Sequence, residues 1–312
     1  MSRHLTLTEL CDRFPDDAAA ERWLVRERWP DGVQGPGCAS DDVQARPTRK
    51  PQPYRCRACR RDFSVKTDTV MHGSNLGCRV WVIALYLLTS RPKGVSSRQL
   101  HRDLGLSDKA AWHLSHRIRE AYHTDPVLCQ GPAEVDKTYV GGRETNKHAD
   151  RTLRAGRGTV GKTPLAGLKN RPGNAIRGAV VPDNRQATLQ AFVRAHLNPG
   201  ARLYTDEAAA YQGLFDYRHA SVRHGGGEYG RGPVHTNGIE SLRALFKRGF
   251  QGTYHSMSPK HLHRYREFEG RHNHKADGAL QHRACLVQGM AGQRLTYWAL
   301  TSSLSADASA SR

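Results

Sequence analysis

The sequence predicts an α/β fold: a mixed sheet with helices on its faces, preceded by a small cysteine-bearing knuckle and a helix-turn-helix. Residues 132–255 alternate short β-branched or aromatic runs with helical stretches, the pattern of strands and helices that share a core. Residues 31–75 show little periodicity and carry Gly, Pro, many charges and the pair Cys56-Arg-Ala-Cys59, as a small metal-stapled knuckle does. Residues 76–125 read as helical, with a break of Gly-Leu-Ser inside them.

Residues 1–30 form a helical entry. Thr6-Leu-Thr-Glu-Leu10 starts it, and a second helix follows an N-cap at Asp16 or Asp17. Val80-Trp-Val-Ile-Ala-Leu-Tyr-Leu-Leu88 is apolar on every side and reads as a buried helix. The amphipathic stretch from Ser97 stops at Gly105, and Ser107 caps the next, Asp108 to Tyr122. This is the outline of a helix-turn-helix, with a plain αα-hairpin as the alternative. Lys109, His113, His116 and Arg117 would leave its second helix basic on the outer side, fit for DNA.

In residues 132–255, strands are expected near 134–140, 165–168, 176–181 and 201–205, and helices near 186–196, 207–214 and 236–250. Gly141 to Thr163, which contains Lys162, reads as a basic loop that touches phosphates. Residues 256–312 are expected to hold a C-terminal helix and a disordered tail from Ala306.

Three acids stand out within this unit. Asp136 lies inside an apolar run, where a carboxylate is costly unless it is paired or binds metal. Asp206 ends a strand-like run, where capping the next helix is its alternative role. Glu240 lies in the first turns of a helix whose apolar stripe is Ile239, Leu242, Leu245 and Phe246. At ~100° per residue, Lys247 returns to within about 20° of Glu240. Asn237, three residues earlier, also lies nearby. Two strand carboxylates and one helix carboxylate can converge on a pair of divalent cations, an arrangement suited to displacement at phosphorus.

Charge agrees with that chemistry. The chain carries 48 Lys+Arg against 29 Asp+Glu, a net charge of +19, which favours a polyanionic partner. No apolar run approaches the ~18–20 residues of a membrane span. The first residues contain no signal-peptide core, so a cytoplasmic, nucleoid-associated protein is expected. Seven scattered cysteines argue against a disulfide framework.

Several stretches carry a family resemblance: Glu134-Val-Asp-Lys-Thr-Tyr-Val-Gly-Gly142, Tyr204-Thr-Asp206, His235-Thr-Asn-Gly-Ile-Glu-Ser-Leu-Arg-Ala-Leu-Phe-Lys-Arg-Gly249 and Gly252-Thr-Tyr-His-Ser-Met-Ser-Pro-Lys-His-Leu-His-Arg-Tyr265. With Phe63 to Ser74 and Trp81 to Leu88, they make the chain resemble the zinc-ribbon, ISXO-like group of insertion-sequence DDE transposases, from about residue 15 to 275. The resemblance implies an RNase-H-like catalytic domain with Asp136, Asp206 and Glu240 holding two Mg²⁺ or Mn²⁺ ions. Lys247 would be the basic residue that follows the triad. Parts of the family place an Asn at the third position, here Asn237; a carboxylate is the stronger ligand for a hard cation, which favours Glu240. Double-stranded DNA, both element ends and target, is the implied partner, bound through Lys109, His113, Arg117, Lys162, Lys247 and Arg248. A homo-oligomer on DNA is expected. The alternative is a catalytically inactive, transposase-derived DNA-binding protein.

The chain departs from the family's pattern in three places. Lys137 follows the first aspartate where Glu is usual, and strand alternation points it away from Asp136. Ser241-Leu-Arg-Ala244 stands where aromatic residues are usual. Gly35 occupies a cysteine position of the ribbon, so only Cys38, Cys56 and Cys59 remain for Zn²⁺. Finally, Gly156-Arg-Gly-Thr-Val-Gly-Lys-Thr163 matches the nucleotide-binding P-loop by letter, but no buried strand precedes it and Pro164 follows.

Overall fold

The computed structural model describes residues 5–122, 128–142, 148, 150, 153, 158–207, 209–228, 230–275 and 279–302. Part of the basic loop, the first two residues of the P-loop-like run and the tail from Ala306 lie outside the described residues. The chain divides into two compact units, Met1–Thr124 with His274–Arg312, and Asp125–Asn273. Residues 256–273 therefore group with the second unit, and the segment after them with the first.

The first unit opens with α1 (Leu7–Arg13) and α2 (Asp17–Arg28). Thr6 and Glu9 close a capping box on α1, and Asp16 caps α2 through the Ala19 N–H at 2.7 Å. A small antiparallel sheet follows, β1 (Val43–Ala45), β2 (Tyr54–Cys56) and β3 (Asp62–Phe63). Trp29 packs edge-on against Tyr54 and Phe63, and Asp62 gathers Arg46, Arg49 and Arg55. The knuckle thus has an aromatic core and a charge cluster of its own.

Next come α3 (Cys78–Ser90), α4 (Ser97–Leu104) and α5 (Asp108–Glu120). Trp81, Leu85 and Leu88 of α3 are fully buried, each contributing about 1.5–3 kcal/mol of burial. Gly105 ends α4 at φ +62°, a left-handed turn that suits glycine, and Ser96 and Ser107 cap α4 and α5. Two later helices, α9 (Ala279–Gly289) and α10 (Tyr297–Thr301), belong to this unit, and Leu286, Val287 and Met290 join its core.

The second unit is a five-stranded mixed sheet in the order β6-β5-β4-β7-β8. Its strands are β4 (Ala133–Val140), β5 (Thr163–Asn170), β6 (Ile176–Val180), β7 (Arg202–Asp206) and β8 (Arg218–Val222). β4, β5 and β6 pair antiparallel, whereas β4, β7 and β8 pair parallel. The helices are α6 (Gln186–His196), α7 (Asn237–Gly249) and α8 (Glu267–Asn273). Ala133 and Val135 pack into one core with Leu189, Phe192 and Val193 of α6. Glu134 and Asp136 alternate with them and face α7. Gly167 lets α7 approach: a Cβ there would stand 3.2 Å from Ile239 Cδ1.

The helix expected near 207–214 is only a 3₁₀ turn, Ala209–Tyr211. The Glu207 carboxylate accepts the Gly225 N–H, and Gly213 turns the chain at φ +81°. β8 lies outside the expected strands, since Arg-His-Ala-Ser-Val lacks the apolar run of a buried strand. The P-loop likeness ends here as well, because Thr163 begins β5 and no helix follows Lys162.

Candidate active site

Asp136 sits mid-strand on β4, opposite Gly167, and is 7% exposed. Arg243 Nη1 of α7 stands 2.7 Å from its Oδ2, and the Lys137 N–H donates to its Oδ1 at 2.7 Å. Burial pushes its carboxyl above the ordinary aspartate value; Arg243 and the Lys137 N–H oppose that, and the charges of Asp206 and Glu240 add to it. Asp206 and Glu240 therefore each lie within electrostatic reach of Asp136. Asp206 ends β7, the parallel neighbour of β4. Glu240 lies in the first turn of α7 and accepts from the Thr236 hydroxyl at 2.7 Å.

Lys137 reaches the second acid instead of the first. Its Nζ stands 3.8 Å from Asp206 Oδ2 and 5.4 Å from the Tyr211 ring centroid. The pairing of β4 with β7 runs only over Ala133–Leu203 and Glu134–Tyr204, and beyond it a lysine stem spans toward the neighbouring strand end. Tyr211 is fully buried, and its hydroxyl has no hydrogen-bond partner. Burial, then Asp206 and Asp136, push its ionisation up.

Hard carboxylate oxygens, one of them on a buried aspartate, suit a divalent cation. The three carboxylates do not close into one tight cage. Among the described residues, only Cys38, Cys56 and Cys59 bring three ligand atoms within 4.8 Å of one another. Arg243 pairs with Asp136 and Lys137 with Asp206.

The other expected residues are dispersed. Asn237, Lys247 and Arg248 are exposed along α7, and the α7 cation that pairs with Asp136 is Arg243. Lys162 donates to the Gly158 carbonyl at 2.6 Å and closes the turn into β5. On α5, Lys109 is exposed and its Nζ lies 4.3 Å from the Tyr297 ring centroid. His113 bonds the Leu295 carbonyl at 3.0 Å; its pKa is lowered by burial first, with Lys109 and Arg117 acting the same way. Arg117 is 7% exposed, stacks over Trp81 and donates to the His72 carbonyl, and burial lowers its pKa to about 10. The side of α5 expected to face outward is thus covered at His113 and Arg117 by residues distant in sequence.

One buried acid was not singled out from sequence. Glu134, 2% exposed, accepts Arg171 Nε at 2.7 Å and the Ile239 N–H at 2.9 Å, so it caps α7. Arg171 also bonds the Pro233 and His235 carbonyls and lies 4.5 Å over the Tyr204 ring. This cluster fixes the helix of Glu240 to the strand of Asp136. The available signal was alternation: Glu134 and Asp136 share one face of an apolar strand.

Residues 129–273 match the family described as ISXO2-like transposase domain, and residues 15–62 match the transposase zinc-ribbon domain. The chain is also similar to a protein of Halobacterium salinarum (strain ATCC 700922 / JCM 11081 / NRC-1), described as an uncharacterized protein in transposable element ISH50. The two are 30% identical over 249 residues, 75% of this chain and 83% of that protein. The chain belongs to the ISXO2-like transposase family. Its mixed sheet with flanking helices is the RNase-H-like fold of this transposase, and the cysteine cluster lies in its zinc-ribbon domain. Among the described residues, no helix is long and apolar enough to cross a membrane.

Proposed function

We propose that this transposase cuts DNA strands at the ends of an insertion sequence and joins the freed 3′-hydroxyl to target DNA, through Asp136, Asp206 and Glu240. The observation that carries the reading is geometric: Asp136 is a carboxylate buried mid-strand on β4, Asp206 ends the neighbouring parallel strand β7, and Glu240 lies in the first turn of α7, the helix that reaches Asp136 through Arg243. A carboxylate buried in mid-strand is costly and persists where a cation pairs with it. These three residues would hold Mg²⁺ or Mn²⁺, with Asn237 as the alternative to Glu240. Bound divalent cations supply charge neutralisation at the scissile phosphate and a more acidic attacking water. Glu134 and Arg171 hold α7 on β4 and so keep the acids in register. Lys247 and Arg248, exposed on the last turn of α7, bind phosphates. Lys109, Lys162 and the net charge of +19 add DNA affinity. His113 and Arg117 support the scaffold of the helix-turn-helix. Pairing of two ends calls for a homo-oligomer on DNA, working in the cytoplasm at the nucleoid.

A second reading rests on Arg243 and Lys137, which already neutralise the two aspartates. It makes the protein a DNA binder without catalysis. A duplex carrying the inverted repeat beside the coding region separates the two. Nicking that needs Mn²⁺ and leaves a 3′-hydroxyl supports the transposase. Specific binding unchanged in chelator, without nicking in any divalent metal, supports the alternative.

A further inference from the structure

A closed structural zinc site needs four ligands, and the knuckle supplies Cys38, Cys56 and Cys59. Cys38 Sγ and Cys56 Sγ stand 3.4 Å apart, and the Cys59 N–H points to Cys56 Sγ at 3.5 Å. The first turn keeps its form without its leading cysteine: the Gly35 carbonyl accepts the N–H of Cys38 at 3.2 Å and of Ala39 at 2.8 Å. A Cβ at residue 35 would stand 3.0 Å from Cys56 Sγ and 3.2 Å from Cys38 Sγ. The missing side chain would have pointed into the cluster. No other His, Cys, Asp or Glu among the described residues completes the group, and residues 30–63 are all described. Soft sulfur donors suit Zn²⁺.

Three thiolates on Zn²⁺ carry one net negative charge, where four would carry two. The fourth position stays without a protein ligand on the side of Gly35. Cys38 is exposed, so solvent reaches the cluster.

We propose that the knuckle holds zinc through Cys38, Cys56 and Cys59 with an open fourth position, and that this position accepts an exogenous thiol as its thiolate. On binding, the thiol's proton passes to solvent and the water on the metal leaves. The site depends on the knuckle alone, so it stands apart from the reading of the carboxylates.

The test replaces Zn²⁺ with Co²⁺ in the full chain, kept reduced by a phosphine free of thiols. Titration with 2-mercaptoethanol is expected to shift the cobalt d–d bands saturably and to raise the sulfur-to-metal absorption by roughly one thiolate's share. Gly35→Cys is expected to show the shifted spectrum without added thiol, to ignore the thiol, and to bind Co²⁺ at least about tenfold more tightly. A native spectrum indifferent to thiol overturns the proposal, as does failure of the native chain to bind Co²⁺. Mass doubling on metal loading without thiol also overturns it, because a second copy then fills the position. The native titration decides by itself if Gly35→Cys does not fold.

Discussion

Arg243 of α7 and Asp136 of β4 form a 2.7 Å ion pair between the helix of Glu240 and the central strand of the sheet. Arg243 lies in Ser241-Leu-Arg-Ala244 and places a cation beside the first of the three acids. The guanidinium is 38% exposed and the carboxylate 8%. Such a pair competes with a metal ion for the same oxygens. Arg243→Ala leaves a buried carboxylate without its partner and should cost the metal-free protein about 1–3 kcal/mol. Saturating Mn²⁺ should then raise the melting temperature more in Arg243→Ala than in the native chain. Equal gains would show that Arg243 and the metal do not compete.

The raised pKa of Asp136 gives a pH dependence with a definite sign. The folded state holds a proton that the unfolded chain has released above the ordinary value of 3.8. Without metal, this group's contribution to stability falls as pH rises from 3.8 through the raised value. Metal binding needs the ionised form, so affinity moves the other way. Calorimetry should show Mn²⁺ affinity weakening on acidification already above the ordinary aspartate range, by up to about tenfold per pH unit. An affinity flat down to 3.8 contradicts the shift.

Glu134 ties three segments together: its own strand, Arg171 at the end of β5, and the first turn of α7. Removing a buried, paired carboxylate strands its partners. Glu134→Ala should lower the stability of the second unit by about 3–5 kcal/mol in urea unfolding. Gly238→Ala should also destabilise it, because the added carbon would stand 2.8 Å from Glu134 Oε2. Unchanged unfolding midpoints in both variants would remove this cluster from the account.

The basic residues of α5 should separate into two kinds. Lys109→Ala should reduce the salt dependence of DNA binding by about one unit of slope and leave stability unchanged. Arg117→Ala should destabilise the first unit, because its guanidinium is buried against Trp81 and the His72 carbonyl. Melting curves and binding isotherms over a salt series make the distinction. A stable Arg117→Ala with weakened DNA binding would return Arg117 to the DNA face.

Much of this architecture was legible from local pattern. Gly105 at the end of α4, the Ser107 cap of α5, and the strand around Asp136 follow from side-chain chemistry that acts over a few residues. The three acids were visible because carboxylates in or beside apolar runs need a reason. What stayed hidden depends on distant partners. His113 is basic and sits at a plausible DNA-facing position, yet Leu295, far along the chain, accepts its hydrogen bond. Lys137 obeys strand alternation, but its stem is long enough to reach Asp206 where β4 and β7 stop pairing. Arg243 lies three residues beyond Glu240 on the same helix, and only the placement of α7 on the sheet shows that it meets Asp136. Glu134 was equally readable by alternation, and its role as a cap required the position of a helix more than a hundred residues later.

The most direct measurement is single-turnover cleavage of a duplex bearing the element's inverted repeat, with Mn²⁺, by the native chain and by Asp136→Asn. Asn keeps the shape of the side chain and removes its charge. The native chain should release a 3′-hydroxyl end, and Asp136→Asn should bind the duplex as well but cut it at least about a hundredfold more slowly. Equal cutting by both proteins would contradict the assignment of the reaction to this carboxylate.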